Sequence, residues 1–471
     1  AGQALANIRS LLDEQTAAVV GGQQAGLFTG PLYVIHKAIT LIRTAREAEK
    51  TLGRKVVPVF WIAGEDHDFD EVNHIHYLSP DIKIEKIVLD HPTGKKAPVS
   101  ELRFAREEFA SVLERLDSAL PKTEFKAGLM ERLRHMADES ATLVDLFARM
   151  LAWLFGEQGL VLLDAADPAI RRVEAPMFKR LAEEHQELNR EISVGTRLVE
   201  ALGYAPQAEA KAEQANLFFV HEGERHLLFY GSGRFVDRDG KVSLTPGELT
   251  GIAETAPEKL SNNVFTRPLM QEYLLPVLAT VLGPGEIAYW AQLRPAFHYF
   301  GCRMPLIIPR LQFTLVEGTV RKHMEKYGFT FDDVVQRFAT KKAEWLSGQD
   351  SYRLEERFQH VKQQFDELYL PLIETIAKIN PGLKNLGDTN RKKIIEQIDY
   401  LKTRSAEAFE SRFSAAIRQL ERIHKSILPL NKPQERVYNV VAYLNKYGTG
   451  WMEKLLEAET EKKVNHYIVY L

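Results

Sequence analysis

The chain has 471 residues, of which 45% are hydrophobic and 27% are charged, so it is long enough to bury a large core and to form two or three domains. Its 61 Lys and Arg against 64 Asp and Glu give a net charge of −3, which excludes the global basic surface of a nucleic-acid-binding protein. A single cysteine, Cys302, excludes a disulfide framework and a thiolate metal cluster. Because no segment approaches 18 apolar residues without charge, we expect a cytoplasmic protein that binds neither nucleic acid nor membranes.

The N-terminal part of the chain alternates between apolar runs and helical patterns. Residues 17–20 and 56–63 are runs typical of strands buried in a parallel sheet, and the apolar positions of residues 33–50 recur at helical spacing. Further apolar runs begin at Val161 and Met304. Strands separated by helices predict an α/β core with a parallel sheet and right-handed crossovers.

We assign residues 1–312 to this core. Two segments within it are predicted as insertions between core strands. Residues of about 80–155 are mostly helical in pattern, and residues of about 185–260 include a stretch that alternates and turns like antiparallel strands.

Residues 313–430 are predicted to form a helical domain. Its first apolar stripe steps by three and four residues, as in a coiled coil, and consists of Leu354, Phe358, Val361, Phe365, Leu368 and Leu372. Residues 380–382 (NPG) break this helix. A second stripe follows at Phe409, Phe413, Ala416, Leu420, Ile423 and Ile427, which predicts an antiparallel hairpin of two long helices. Residues 431–471 then return to the core.

Apolar residues of the hairpin also lie off the two stripes, at Leu370, Ile373, Ile379, Ile394 and Ile395. They pack either within one chain or against a second chain. Because a monomer rarely exposes so large an apolar edge, and a two-fold contact commonly buries one, we expect a homodimer through this arm.

A glycine-rich segment, GGQQAGLFTGP at residues 21–31, stands between the first strand and the first long helix. Its glycines let the backbone approach a ligand, Thr29 suits a helix cap, and Pro31 suits a first helical turn. Free amides at a helix start would bind phosphate or carboxylate, although a tight turn without a ligand explains the same pattern. The candidate substrate-binding residues of this segment are Gln23, Gln24, Gly26, Thr29 and Gly30.

The acidic segment EDHDFDEVNHIH, residues 65–76, directly follows the second strand. Asp66 and Asp68 flank His67 and can set its tautomer, so these three are the catalytic candidates. Gly64 and Glu65 are candidates for substrate binding. Two alternatives stay open at this point: a metal cluster that also uses His74 and its neighbour His76, and plain capping of a helix by acids.

Three further segments concentrate polar residues. SNNVFTRPLMQ (261–271) supplies Asn263 and Arg267, which suit a carboxylate or phosphate, and GPGEIAYW (283–290) is a sharp turn that delivers Glu286, Tyr289 and Trp290 to a strand end. KPQERVYNVVAYLNKYG (432–448) either binds a nucleotide or docks the C-terminal segment on the core. Its candidates are Gln434, Arg436, Asn439, Asn445 and Tyr447. Caps and turns are the structural alternative for each segment, and Cys302, in a predicted strand at 300–308, is expected to be structural.

Taken together and in order, these five polar segments resemble the cysteine ligase family of bacillithiol biosynthesis over nearly the whole chain. The resemblance implies condensation of L-cysteine with the glucosamine amine of glucosaminyl malate to give bacillithiol. It also implies a Rossmann-like core with connecting insertions, similar to class I aminoacyl-tRNA synthetases and pantothenate synthetase, and a coiled-coil domain that dimerises.

One departure concerns nucleotide chemistry. The nucleotidyl-transferase relatives carry His-x-Gly-His where this chain has FTGP at residues 28–31, so both histidines are absent. An amide still requires an activated carboxylate, so we expect ATP or another adenine nucleotide, with ADP or AMP as product, and no metal beyond Mg²⁺ with the nucleotide. The alternatives are a metal-dependent hydrolase that uses Asp66, His67, Asp68 and His74, and a coiled-coil scaffold without enzymatic activity.

Overall fold

The computed structural model describes residues 2–209, 211–459 and 466–471. The strands are β1 (Ala17–Gln23), β2 (Val56–Ile62), β3 (His74–Leu78), β4 (Ile84–Val88), β5 (Val161–Asp164), β6 (Gln214–His221), β7 (Glu224–Gly231), β8 (Arg234–Val236), β9 (Ser243–Leu244), β10 (Leu260–Asn262), β11 (Val277–Leu282), β12 (Leu306–Pro309), β13 (Gln312–Val316) and β14 (His466–Tyr470).

The helices from the N-terminus to residue 299 are α1 (Gly2–Ser10), α2 (Tyr33–Leu52), α3 (Phe69–Val72), α4 (Arg106–Ala119), α5 (Lys126–Asp138), α6 (Leu143–Phe155), α7 (Pro168–Glu183), α8 (His185–Ala201), α9 (Pro246–Thr255), α10 (Thr266–Leu274), α11 (Pro284–Trp290) and α12 (Arg294–Tyr299). Those that follow are α13 (Gly318–Tyr327), α14 (Phe331–Gln336), α15 (Phe338–Gly348), α16 (Leu354–Ile379), α17 (Leu383–Arg412), α18 (Ser414–Ile427), α19 (Val441–Tyr447) and α20 (Gly450–Glu457). Within the described ranges, none of these helices is long and apolar enough to cross a membrane.

The central sheet has the strand order β12-β11-β1-β2-β5, and every neighbouring pair is parallel. This confirms the predicted parallel α/β core. Alternate residues of β1 enter two different hydrophobic clusters: Ala17 and Val19 pack with α2 and α6, whereas Ala18 and Val20 pack with α7, α8 and α10. The chain proceeds from β1 to β2 and β5 on one side and returns to β11 on the other. The order therefore reverses beside β1, which is the place where open α/β sheets bind ligands.

The glycine-rich segment differs from its prediction. Strand β1 continues through Gly21 and Gly22, which pair with β2. A Cβ on Gly22 would lie 2.5 Å from Nη1 of Arg267, so a side chain at this position would displace the guanidinium. Helix α2 begins at Tyr33 without a side-chain cap, and Thr29 is buried with φ at +74°, so the predicted Thr29 cap is wrong.

The insertions contain the predicted element types. After the antiparallel hairpin of β3 and β4 come helices α4 to α6, and the second insertion includes an antiparallel sheet of order β10-β6-β7-β8-β9. The strand predicted at 300–308 begins only at Leu306, because Gly301, with φ at +76°, ends α12 in a turn that contains Cys302. Burial raises the pKa of the Cys302 thiol.

The helical arm is an antiparallel hairpin of α16 and α17, with the predicted break at residues 380–382. Ile373 of α16 is buried against α17, and a Cβ on Gly387 would lie 2.9 Å from its side chain. Ile373 lies off the two predicted stripes, so this part of the helix contact differs from the prediction. Conversely, Val361, Leu368 and Leu372 of the first stripe are 47%, 78% and 52% exposed, so α17 does not cover these three positions, whereas Leu354, Phe358 and Phe365 are partly buried.

The second stripe does not pair with α16 along its length, contrary to the prediction. Helix α17 ends at Arg412, and the apolar residues of α18 pack instead on α13 and α14. This separate cluster contains Val316, Val320, Met324, Tyr327, Phe329, Val334, Leu420, Ile423 and Ile427. The chain then returns to the core, where bridges join Pro31 to Asn439 and His76 to Tyr438, and β14 pairs with β13.

Candidate functional site

A cavity of about 340 Å³ opens at the carboxyl edge of the central sheet, where β1 and β11 lie side by side. It is lined by Gly22, Gln23, Gln24, Tyr33, Lys37, Ala63, Asp66, Val264, Arg267, Gly283, Pro284, Gly285, Glu286, Tyr289, Arg310 and Arg436. Strand ends, helix α2, the turn after β11 and the C-terminal segment all contribute. We refer to it as the main cavity.

Lys37 and Glu286 form an ion pair in the wall of the main cavity. The Lys37 ammonium is 1% exposed and donates to the Glu286 carboxylate at 2.6 Å, to the Gly22 carbonyl at 2.5 Å and to the Gln23 side chain at 3.2 Å. Burial lowers the pKa of Lys37, against the pull of Glu286. Burial alone would raise the pKa of Glu286, but the charges of Lys37 and Arg267 outweigh it and lower that pKa. These three hydrogen bonds fix the Lys37 side chain, so the pair is a structural part of the cavity wall.

Arg267 presents a positive charge to the same cavity. Its Nη1 donates to Gln271 at 3.0 Å and its Nη2 donates to the Tyr289 hydroxyl at 2.6 Å. A guanidinium has five N–H donors, and these bonds use two of them. Since the Tyr289 oxygen accepts from Arg267, its own O–H is oriented elsewhere. Arg267 is thus held in place and still able to bind a carboxylate or phosphate.

Arg310, directly after β12, joins the core to the C-terminal segment. It forms a two-pronged ion pair with Glu435 at 2.7 and 3.1 Å, and His36 Nδ1 lies 2.8 Å from the same carboxylate. Burial alone would raise the pKa of Glu435, but hydrogen bonds from His36 and Arg310 outweigh it and lower the pKa to about 2. Burial lowers the pKa of His36, so the neutral ring donates its Nδ1–H.

Asp66 and Glu286 are the two carboxylates that line the main cavity. One oxygen of Asp66 accepts from Gln24 at 2.8 Å, and the other accepts from the backbone amide of His67 at 2.8 Å. Arg225, which β7 brings from the second insertion, donates to the latter oxygen at 3.4 Å. This arrangement leaves Asp66 facing the cavity as a group able to hold an ammonium.

The structure changes the expected role of His67. Its Nδ1 lies 3.7 Å from Asp66 and its Nε2 lies 3.8 Å from Asp68, both beyond hydrogen-bond distance. Instead, Arg225 approaches Nδ1 at 3.1 Å. Because a guanidinium can only donate, Nδ1 must accept and the neutral ring carries its proton on Nε2. His67 is therefore suited to donate a hydrogen bond from Nε2, and poorly suited to act there as a base.

This assignment gives a testable expectation. Burial, and next the charge of Arg225, lower the pKa of His67, so at pH 7 the ring should be neutral with its proton on Nε2. Nitrogen-15 NMR of the histidine side chains, with His67→Gln to assign the signal, measures the tautomer. A protonated Nδ1 would contradict the assignment. Arg225→Gln should release Nδ1 and change the nitrogen shifts, whereas those of the exposed His135 should stay as they are.

The remaining predicted residues lie outside the main cavity. Glu65 pairs with the buried Arg171, which also bonds Glu174 at 2.8 Å, and burial raises the pKa of Glu174 to about 8. Asn263 accepts from the amides of two following residues and so forms a local turn. The other residues that do not line it are Gly26, Thr29, Gly30, Gly64, His67, Asp68, Trp290, Gln434, Asn439, Asn445 and Tyr447.

Several of these make internal contacts. Gln434 bonds both backbone groups of Leu315, Asn445 bonds the Pro121 carbonyl, and Tyr447 contacts Glu317 at 3.4 Å. Thr29 and Trp290 are buried. Of the five predicted nucleotide-binding residues, Arg436 is the one that lines the main cavity.

Three charged or polar residues of the cavity were missed by the sequence interpretation: Tyr33, Lys37 and Arg310. Lys37 could have been recognised in the sequence, because a lysine interrupts the apolar face of α2 beside Val34 and Ala38. Arg310 could also have been recognised, since it directly follows an apolar strand. For the metal alternative, the described part of the chain brings together no group of three His, Cys, Asp or Glu side chains that could hold an ion.

Comparisons with known proteins agree over the whole chain. The family described as "Bacillithiol biosynthesis BshC, N-terminal Rossmann-like domain" matches residues 1–311, and "Bacillithiol biosynthesis BshC, C-terminal coiled-coil domain" matches residues 313–471. A relative from Bacillus cytotoxicus is 38% identical over 100% of this chain and 88% of its own length. One from Geobacillus sp. is 40% identical over 99% of this chain and 86% of its own length. Both are named "Putative cysteine ligase BshC".

A solved structure described as a "putative arginyl t-RNA synthetase" from Campylobacter jejuni matches over 98% of both chains, with 12% identity and a TM-score of only 0.28. The fold and site define a Rossmann-like α/β enzyme with a charged cavity at the sheet's reversal point and a helical arm. The chain belongs to the BshC family of bacillithiol biosynthesis.

Proposed function

We propose that this ligase joins the carboxyl group of L-cysteine to the glucosamine amine of glucosaminyl malate in the cytoplasm, which gives bacillithiol. The observation that carries the proposal is membership of the family over the full chain, with relatives 38% and 40% identical. One cysteine in 471 residues supports a reducing compartment.

The charges of the main cavity support an acidic substrate. Lys37, Arg267, Arg310 and Arg436 line it against two carboxylates, Asp66 and Glu286. Glu286 lies 2.6 Å from Lys37 and 3.7 Å from Arg267, so one carboxylate serves two cations, and Glu435 neutralises Arg310. Arg267 and Arg436 therefore supply the positive charge available to a ligand. Glucosaminyl malate carries two carboxylates, which these guanidinium groups suit. Asp66 suits the amino group of either substrate.

Activation by ATP or another adenine nucleotide is part of the proposal, because free carboxylate and amine do not condense in water. Arg436 and Arg267 are the side chains suited to a phosphate in the main cavity. The side-chain amides of Gln434, Asn439 and Asn445 donate to backbone carbonyls, so among the residues that the structure describes Arg436 is the one of the C-terminal segment that is free to bind the nucleotide.

The proposal is tested by incubating the purified protein with cysteine, glucosaminyl malate and ATP, and by following the products by mass spectrometry. We expect bacillithiol together with ADP or AMP, and neither product when any one substrate is omitted. Asp66→Asn, which keeps the size of the side chain, should reduce turnover strongly. Amide hydrolysis of added bacillithiol without synthesis would favour a hydrolase instead.

A homodimer through the helical arm is also proposed. Val361, Leu368, Leu372 and Ile379 are separated by seven, four and seven residues, and all are exposed on α16. This spacing makes one coiled-coil stripe, and the second helix of the hairpin leaves it uncovered. A second copy of the same stripe is the simplest partner that buries it.

Charged substitutions in the stripe test the dimer. Leu368→Glu with Leu372→Glu should convert a dimer to a monomer, because four like charges would meet in the contact. Light scattering measures the mass, and Arg321→Glu on the exposed surface of α13 is the matched control. A monomeric unaltered protein at micromolar concentration, or a dimer that persists in the double variant, would refute the arrangement.

A further inference from the structure

A second cavity, of about 130 Å³, adjoins the main cavity, and Arg436 lines both. The other charged or titratable residues of the second cavity are Glu71, His74, His76 and Lys432. The Gln24 side chain, which lines the main cavity, donates to Glu71 at 3.3 Å. Polar side chains therefore lead directly from one cavity into the other.

The walls of the second cavity are held by hydrogen bonds between the core and the C-terminal segment. The side-chain amide of Asn439 donates to the carbonyls of Phe28 and Gly30 at 2.8 and 2.6 Å. The Asn439 backbone amide donates to the His76 carbonyl at 3.3 Å. This side of the cavity is thus formed before any ligand arrives.

The charge of this cavity is unbalanced. Within the part of the chain that the structure describes, neither the Lys432 ammonium nor the Arg436 guanidinium has a carboxylate within ion-pair distance. Lys37 and Arg310 in the main cavity, by contrast, are each paired with a buried glutamate. Glu71 is the acidic side chain of the lining, so two cations face one anion.

Two histidines, His74 and His76, also line the second cavity, and burial and nearby positive charges lower their pKa values. The rings of His74 and His76 meet edge to face at 5.1 Å. Burial lowers the pKa of His76 to about 4, and His74, Lys86 and Lys432 lower it in the same direction. At neutral pH the two rings are uncharged and leave the balance of two cations and one anion unchanged.

We propose that the second cavity is a subsite for one anionic oxygen group, a carboxylate or a phosphate, of a ligand whose remainder occupies the main cavity. The inference rests on the proposed function, which offers two sources: a carboxylate of glucosaminyl malate or a phosphate of the nucleotide. Arg436 contacts the ligand at the junction, and Lys432 binds its anionic end.

Calorimetry on the full chain distinguishes the sources. The dissociation constants of glucosaminyl malate and of ATP are measured separately for the unaltered protein, for Lys432→Gln, and for Lys392→Gln on the exposed surface of α17 as control. We expect Lys432→Gln to weaken one ligand about three- to tenfold, as for a charged contact of an exposed side chain. The ligand that is weakened identifies the source. Unchanged binding of both, or an equal loss for both, overturns the subsite.

A second measurement does not depend on the proposed reaction. Inorganic pyrophosphate is added while the ring protons of His76 are titrated by NMR. An anion in the subsite should raise the pKa of His76 above about 4 in the unaltered protein, and much less in Lys432→Gln. An unmoved titration overturns the subsite. If instead His76 responds to pyrophosphate but glucosaminyl malate does not bind, the proposed function fails and the anion site stands.

Discussion

Glu435→Ala should lower the free energy of unfolding by about 3–5 kcal/mol, the usual result of removing one partner from a buried ion pair. The substitution leaves the Arg310 guanidinium, 5% exposed, without its carboxylate, and it also removes the acceptor of the His36 Nδ1–H. Chemical denaturation at pH 7 measures the loss. Glu325→Ala, at an exposed pair with Arg321, is the matched control and should cost less than about 1 kcal/mol.

The same variant has a pH signature. The pKa of Glu435 falls from an ordinary value of 4.5 to about 2 on folding, so its contribution is complete above pH 4.5 and is lost as the pH falls towards 2. The difference in stability between the unaltered protein and Glu435→Ala should therefore shrink across this window. A difference that is constant from pH 6 to pH 3, or absent at pH 7, would contradict the assigned ion pair.

Arg267→Gln should weaken the binding of glucosaminyl malate by about 1.5–3 kcal/mol, the range for a hydrogen bond to a charged group. At 1.4 kcal/mol per decade, that is roughly a 10- to 100-fold rise in the dissociation constant. Gln keeps a polar side chain of similar reach, and it removes the positive charge that Glu286 and Tyr289 hold at the cavity wall.

Calorimetry at pH 7 measures this effect. Arg294→Gln, on the exposed start of α12, provides a control of the same chemistry and should leave the affinity unchanged. Equal affinities of Arg267→Gln and the unaltered protein would remove Arg267 from the binding site. Because the bonds of Arg267 to Gln271 and Tyr289 are also lost, the melting temperature of each variant must be measured beside its affinity.

Local patterns were sufficient for the core strands and for part of the cavity. The apolar run that became β2 and the turn at 283–285 were visible in the sequence, and both lead to cavity residues, Asp66 and Glu286. Parallel strands end at one edge of the sheet, so polar residues that follow them meet there whatever the rest of the chain does.

Hydrogen bonds and ion pairs between residues far apart in the chain could not be predicted from the sequence. Arg225 is 158 residues from His67, and Glu435 is 125 residues from Arg310. Sequence spacing suggested that Asp66 and Asp68 orient His67, because neighbours were the only candidates. The inserted antiparallel sheet instead brings a guanidinium to Nδ1, which reverses the hydrogen-bond role expected of the ring.

The helical arm shows a similar limit. Heptad spacing predicted helices on both sides of the break at residues 380–382, but it could not tell which face meets which partner, or that the second helix is divided into α17 and α18. Close approach at Gly387 buries Ile373, so the helices are rotated relative to the arrangement that the stripe alone suggested. Leu368 and Leu372 are exposed as a result.

In the proposed function the cavity beside β1 and β11 binds the acidic substrate, and a crystal structure of the protein with glucosaminyl malate tests this most directly. We predict electron density for the ligand in the main cavity, with a carboxylate oxygen about 3 Å from the guanidinium of Arg267 or Arg436. Ligand density at another place, with the main cavity empty at a saturating concentration of glucosaminyl malate, would contradict the assignment of the main cavity as the substrate site.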